Sequence, residues 1–226
     1  MDAMSTSEHS LPDVLKARVL ADLRPVRPLA SPWKRALLLL PIGLALLALT
    51  PWRYGVRHDI GGVYLWGLSL LQVGVGFGLV VASLREVLPD RSLSGRTQIL
   101  LVGGSLAITV AVTYLTWNAS LSAAVPVSPA DRYPYWKGCL QHTVLNGLPA
   151  LVVVLALAIR GLLWRPALVG GLAGLAAGLL ADASWRTYCG VSEPAHVFSA
   201  HVGGIVVLAV LGAIVARIWT WATGWR

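Results

Sequence analysis

Six apolar runs, each long enough to cross a lipid bilayer, constrain this 226-residue chain more than any other feature. A membrane-spanning helix needs about 20 predominantly apolar residues. Charged residues make up only 12% of the chain, whereas soluble domains usually carry about 25%. The sequence therefore predicts an all-α, polytopic membrane protein, with transmembrane helices over residues 34–50, 60–83, 98–118, 140–160, 167–186 and 197–217.

The segments outside these runs are short and carry most of the charge. Residues 1–33 are predicted to form an N-terminal tail and residues 218–226 a C-terminal end. With both ends in the cytosol, thirteen Lys and Arg residues fall on inner segments and five on outer ones, in agreement with the positive-inside rule. Topology thus accounts for the net charge of +8, and direct nucleic-acid binding is not predicted. Tryptophans near the run ends, Trp185 among them, fit an interfacial belt.

The tail contains an apolar repeat, with Leu11, Leu15, Val19 and Leu23 at every fourth position. This spacing predicts a short amphipathic helix, which ends before Pro25 because proline lacks a backbone N–H. A helix this short is marginal alone in water. It is expected to lie on the membrane surface or in a groove of another protein, and the pattern alone favours neither.

The fifth run carries a stripe of residues four apart, at Gly170, Gly174, Gly178, Asp182 and Arg186. Glycines at this spacing remove side chains from one face, so a neighbouring backbone can approach closely. Asp182 lies on the same stripe and is expected to face protein, because a carboxylate in lipid is costly. Two interpretations of Asp182 are open: an ion pair with Arg186 one turn away, or a direct chemical role.

Two cysteines flank the fourth and fifth runs: Cys139 precedes the fourth run and Cys189 follows the fifth. The connection at residues 160–166 is very short, so the fourth and fifth helices should be antiparallel neighbours. Both cysteines then lie at the same outer rim. On an oxidising side of the membrane such a pair can form a disulfide.

Histidines near the cysteines extend the possible chemistry. The candidate soft-metal ligands are Cys139, His142, Cys189, His196 and His201. His196 and His201 are five residues apart, about 140° around an α-helix, so they are not expected to face the same way. A structural disulfide, a redox sensor and a metal sensor all remain open. No cofactor is predicted beyond a transient metal ion at the cysteine pair.

The chain carries no catalytic motif: it contains no phosphate-binding glycine loop, no His-Glu-x-x-His and no serine elbow. A non-enzymatic protein is therefore expected. The alternative is a six-helix membrane redox or metal-handling protein that uses the Cys/His group at the outer rim.

Three stretches carry a resemblance to a known family: residues 20–29 leading into Pro32-Trp33, Cys139-Leu140 with Leu148-Pro149-Ala150, and Arg165-Pro166-Ala167 with the glycine-rich helix that closes on Tyr188-Cys189. They are similar to the NrsF family (negative regulator of sigma F), which are six-helix anti-sigma factors of the bacterial inner membrane. The resemblance covers nearly the whole chain.

The resemblance implies that the cytoplasmic tail holds an extracytoplasmic-function sigma factor. The expected partner-binding residues, which include the apolar face of the tail helix, are Leu15, Val19, Asp22, Leu23, Arg24, Pro25, Val26 and Arg27. The resemblance further implies that Cys139 and Cys189 sense metal or oxidative stress in the periplasm and release the sigma factor. One departure is that His196 and His201 stand where the family has a serine-bearing turn and an aromatic pair. These histidines extend the expected stimuli toward metals.

Overall fold

The computed structural model describes residues 13–22, 28–88, 92–120, 128 and 132–224. Every regular element in these ranges is helical, and six helices are long and apolar enough to cross a membrane. The predicted all-α, six-helix fold is thereby confirmed. A short helix α1, Asp13–Asp22, precedes the six spans. The spans are α2 (Pro32–Tyr54), α3 (Gly62–Arg85), α4 (Gly95–Ser120), α5 (Tyr133–Ala158), α6 (Pro166–Trp185) and α7 (Pro194–Ala222).

The helices extend beyond the predicted apolar runs at several ends. Helix α5 begins before residue 140, because Tyr133, Trp136 and Lys137 continue the helix although they interrupt the apolar pattern. Helix α7 continues past Arg217 to Ala222, so residues 218–222 of the predicted C-terminal end are helical. In both places the apolar pattern covered only the residues needed to cross the hydrocarbon core, and the helix itself is longer.

Helix α6 lies at the centre of the bundle: 78% of its span is buried, against 28% for α4. Its glycine stripe faces α7. A Cβ atom added at Gly170 would lie 2.0 Å from the carbonyl oxygen of Gly212, and one at Gly174 would lie 2.0 Å from that of Leu208. Since no larger residue fits at this distance, the stripe lets α6 and α7 pack backbone to backbone.

The bundle has two ends, which we name by their contents. The thiol end holds Cys139 and Cys189, and there the ring of Tyr54 at the end of α2 contacts Trp185 at the end of α6. The tail end is the opposite one, where α2 and α6 begin. At the tail end the guanidinium of Arg35 donates to the carbonyl of Leu157. The chain therefore enters the first span at the end of the bundle opposite the cysteines.

Candidate functional site

The two cysteines meet at the thiol end, as the short connection between α5 and α6 predicts. Cys139 lies in α5 and Cys189 in the connection from α6 to α7. Both are buried and free, and their Sγ atoms are 3.5 Å apart. Trp185 and Ala200 pack around them. The hydrogen bond with Cys139, together with burial, raises the pKa of the Cys189 thiol above its ordinary value.

Two histidines complete the group around the sulfur atoms. The Nε2 atom of His196 lies 3.6 Å from the Sγ atom of Cys189, and the rings of His196 and His201 are 5.3 Å apart between centroids. One ligand atom from each of Cys139, Cys189, His196 and His201 lies within 4.8 Å of all the others, and all four residues are buried. The structure thus brings together four of the five predicted metal ligands.

The expectation that His196 and His201 could not face the same way is wrong. It assumed a regular α-helix, but the backbone over Val197–Val202 forms a π-helical turn. Such a turn closes hydrogen bonds between residues five apart and often lies at a functional site. It therefore brings two side chains at this spacing to one side of α7.

His142 is the predicted ligand that the structure does not bring into the group. Its ring stacks on Trp185, with centroids 3.9 Å apart and planes at 11°. Trp185 itself is 3% exposed, so its predicted place in an interfacial aromatic belt is wrong. Its proximity to the end of the apolar run suggested an interface, but the neighbouring helices cover it.

Asp182 lies directly behind His201. It is fully buried, as expected for a carboxylate on the glycine stripe. Its Oδ1 atom is 2.6 Å from Nδ1 of His201, and its Oδ2 atom accepts a hydrogen bond from Arg186 at 3.0 Å. The Gln72 amide of α3 also donates to Oδ2. The ion pair with Arg186 is therefore present, and Asp182 also orients a histidine of the group.

Gln72 contacts this group, although the sequence pattern did not indicate a role for it. It is fully buried in α3, inside the second apolar run. An amide side chain within a membrane-spanning run is itself a signal for a polar partner in the protein interior. The second apolar run does not indicate which residue is the partner of Gln72, since Asp182 lies 110 positions away in the sequence.

The loop between α2 and α3 is tied to the connection that carries Cys189. The backbone N–H of Arg57 donates to the carbonyl of Thr187 at 2.9 Å, and its guanidinium donates to Ser192 Oγ at 2.6 Å. The same guanidinium pairs with Asp59. Partial burial opposes ionisation of Asp59, but the hydrogen bond and charge of Arg57 outweigh it and hold the pKa of Asp59 below its ordinary value.

A second link joins α2 to α6 within one turn of Asp182. The hydroxyls of Thr50 and Ser184 are 2.5 Å apart, and Ser184 also donates to the carbonyl of Leu46 at 2.7 Å. Helix α2 is therefore hydrogen-bonded to the helix that carries Asp182, and its other end leads into the tail.

The predicted partner-binding residues are only partly visible in the structure. Leu15 lies on α1 and is 48% exposed, and Leu20, five residues further along the same helix, is 58% exposed. Val19 and Asp22 also belong to α1, but their side chains lie outside the described part of the chain. Also outside the described residues are Leu23, Arg24, Pro25, Val26 and Arg27.

The model of one protein family matches most of the chain. The family is described as NrsF, negative regulator of sigma F, and the match covers residues 20–221. It includes the tail segment from Leu20 to Arg27 and both cysteines, whereas Leu15 and Val19 precede it. Comparison with curated proteins and with solved structures gave no match. Because the match extends from the tail to the last span, the chain belongs to the NrsF family of negative regulators of sigma F.

Proposed function

We propose that the protein is a membrane anti-sigma factor that holds an extracytoplasmic-function sigma factor through its tail and releases it when the thiol pair meets metal or oxidant. Negative regulation of a sigma factor follows from the family. The observation that carries the proposal is that one family match includes both the tail segment and the two cysteines. Binding, rather than catalysis, is the expected activity of such a regulator.

In this proposal the protein lies in the bacterial inner membrane with both termini in the cytosol. The excess of Lys and Arg on the segments at the tail end supports this orientation. The sigma factor binds the exposed apolar side chains of α1 and the segment from Asp22 to Arg27. Leu15 and Leu20 offer about half of their surface to such a partner.

The thiol pair can respond to stress by two reactions, disulfide formation and metal binding. Oxidation by hydrogen peroxide joins the sulfurs, with loss of two protons and two electrons, and reduces the peroxide to two water molecules. The sulfurs are 3.5 Å apart and need to approach to about 2.05 Å for this bond. A thiophilic metal ion replaces the two thiol protons instead. Disulfide formation pulls α5 toward the connection between α6 and α7, whereas a metal ion joins the two sulfurs close to their present separation.

The links to α2 provide a route from the thiol end to the tail. Arg57 bonds to the connection that carries Cys189, and Thr50 bonds to α6. A shift at the cysteines changes these bonds and so biases the position of α2, which continues into the tail. Coupling between distant sites is typically worth about 1–3 kcal/mol.

The partner is tested by co-purification with the full-length chain. Candidate sigma factors are co-expressed with the wild type and with a variant in which Asp22 to Val26 are alanines. The variant should lose the sigma factor, while the matched control Lys16→Ala with Arg18→Ala should retain it, because these charges lie outside the family match. Equal capture by all three proteins contradicts the tail assignment.

The sensor is tested with Cys139→Ser and Cys189→Ser. Each variant should still capture the sigma factor but should no longer release it on exposure to peroxide or metal. A stress response equal to that of the wild type removes the cysteines from the mechanism.

Orientation is tested separately in a cysteine-free background. Gly190 is exposed, and a Cβ atom there meets nothing within 4 Å, so Gly190→Cys should be labelled by an impermeant maleimide added to whole cells after outer-membrane permeabilisation. Leu15→Cys should be labelled only after lysis. Labelling of both from the same side contradicts the proposal.

A membrane redox or metal-handling protein would use the same Cys/His group. The clustering of four ligand atoms favours this second candidate, whereas the family match favours regulation. Metal uptake or electron transfer that continues in a variant unable to bind any sigma factor would support the second candidate.

A further inference from the structure

At the thiol end, four ligand atoms lie within 4.8 Å of one another, and two of their separations match those of a tetrahedral metal site. With metal–sulfur bonds of about 2.3 Å and metal–nitrogen bonds of about 2.0–2.1 Å, ligand atoms lie roughly 3.3–3.8 Å apart across a tetrahedron. The two Sγ atoms are 3.5 Å apart, and Cys189 Sγ is 3.6 Å from His196 Nε2. A disulfide needs only the two cysteines, so it gives no reason for two imidazoles to converge on them.

His201 supplies an independent observation. Its Nε2 atom is buried and has no hydrogen-bond partner among the described residues, although a buried polar atom without a partner is costly. Its other nitrogen, Nδ1, is 2.6 Å from the Asp182 carboxylate. A histidine that donates Nδ1–H to a carboxylate presents the lone pair of Nε2, as metal-bound histidines do. The fourth ligand is thus oriented before any metal arrives.

The backbone of α7 departs from a regular α-helix at the two histidines. The π-helical turn over Val197–Val202 brings His196 to the side of His201. In a regular α-helix the two side chains would point about 140° apart, and only one of them could face the sulfurs.

A cavity gives the group access to the surface. It has a volume of about 340 Å³, and its lining includes His196, Glu193, Tyr135 and Trp136. His196 is therefore both a member of the group and part of the cavity wall. Glu193 is exposed, and its negative charge attracts cations to the cavity.

We propose that Cys139, Cys189, His196 and His201 form a tetrahedral site for one divalent d¹⁰ cation of the zinc type, with Asp182 as the positioning residue of His201. This inference rests on the proposed function and specifies the ligand of its sensor. Two thiolates balance a dication, so the occupied site carries no net charge in a buried position. A monovalent ion would leave one negative charge uncompensated. Binding releases the two thiol protons to solvent.

The site is tested with Co²⁺ as a spectroscopic probe of the full-length, reduced protein in detergent. One equivalent of Co²⁺ should give the visible absorption of a tetrahedral complex, with sulfur-to-metal charge transfer in the near ultraviolet. Zn²⁺ should displace it. X-ray absorption at the cobalt edge should find two sulfur and two nitrogen neighbours, and this measurement needs no variant.

Variants then assign the ligands. Cys139→Ser, His196→Gln and His201→Gln should each abolish the tetrahedral spectrum. Asp182→Asn should keep the spectrum but weaken binding about 10- to 100-fold, as outer-sphere partners do. The matched control is His142→Gln, which removes an imidazole that lies at the thiol end but outside the group. This variant should bind Co²⁺ as the wild type does. Gel filtration and circular dichroism establish that each variant is folded.

Several outcomes would overturn the inference. These are failure of the folded, reduced wild type to bind Co²⁺, a complex without sulfur neighbours, and a His142→Gln variant that loses binding. Sigma-factor capture is measured on the same preparation. Failure of metal binding with capture intact removes this site alone, whereas loss of capture in the wild type removes the proposed function.

Discussion

The two ends of the bundle both bury a carboxylate, but they hold it differently. At the thiol end, Asp182 is contacted by Gln72, Arg186 and His201, and all of these partners are themselves buried. At the tail end, Glu86 is equally buried, but its ion-pair partner Arg165 is 3.7 Å away and has a side chain that is 40% exposed.

Glu86 also contacts other segments at the tail end, among them Gln98 of α4, whose amide lies 3.5 Å from Oε1 of Glu86. Its Oε1 atom accepts a hydrogen bond from the backbone N–H of Leu93 at 2.5 Å. Its backbone carbonyl accepts one from the indole of Trp164 at 2.9 Å, and the Arg165 guanidinium lies 4.1 Å from the centre of the Trp164 ring. These contacts hold two loops together at the tail end.

The difference lies in solvent access. A buried pair keeps its electrostatic strength but is costly to break, whereas a pair with one exposed partner is screened and contributes little. The thiol end is thus a preorganised site, whereas at the tail end the exposed Arg165 side chain can rearrange at low cost. This difference agrees with the proposed function, in which the stimulus acts at the thiol end and the contacts change at the tail end.

The largest expected effect comes from breaking the buried pair at the thiol end. Asp182→Asn leaves the Arg186 guanidinium buried without its anion, and we expect a loss of about 3–5 kcal/mol in the free energy of unfolding. Denaturant titration in mixed micelles measures the change. A loss below that of the corresponding substitution at Glu86 would reverse the comparison of the two ends.

The glycine stripe that runs between the two ends should be the next most sensitive feature. Gly174→Ala places a Cβ atom against the backbone of α7, and overpacking of this kind costs about 1–3 kcal/mol. The control is Gly103→Ala in α4, where a Cβ atom meets nothing within 4 Å. Gly103→Ala should be neutral or stabilising by up to about 1 kcal/mol, and equal losses in both variants would contradict close packing of α6 and α7.

The carboxylate at the tail end should be more tolerant. Glu86→Gln removes the pair with the half-exposed Arg165 but retains an acceptor for Leu93, so we expect a loss of about 1 kcal/mol or less. The same denaturant titration measures it. A loss as large as that of Asp182→Asn would mean that solvent does not screen this pair.

The smallest effect is expected at His142. His142→Phe keeps an aromatic ring on Trp185 and leaves the Cys/His group untouched, so stability should change by less than about 1 kcal/mol. Thermal unfolding checks this expectation. A large loss would show that the imidazole contributes more than a stacking surface.

Much of the fold could be predicted because its signals are local. Six apolar runs specified six spans, since the bilayer sets the length of a spanning helix. The short connection at residues 160–166 placed Cys139 and Cys189 at one end. The spacing of Gly170, Gly174 and Gly178 indicated a close helix contact, and it carried Asp182 to the protein side.

What the sequence by itself determined is therefore the number of spans, their alternation and the placement of the two thiols at one end, because length and periodicity act within one helix or between neighbours. Only the tertiary structure decided that His196 and His201 share one side, that Trp185 is covered, and that Gln72 reaches Asp182. These features depend on a π-helical turn and on contacts between distant helices. A regular helical period contains no information about either, since the first departs from that period and the second joins helices that are distant in the sequence.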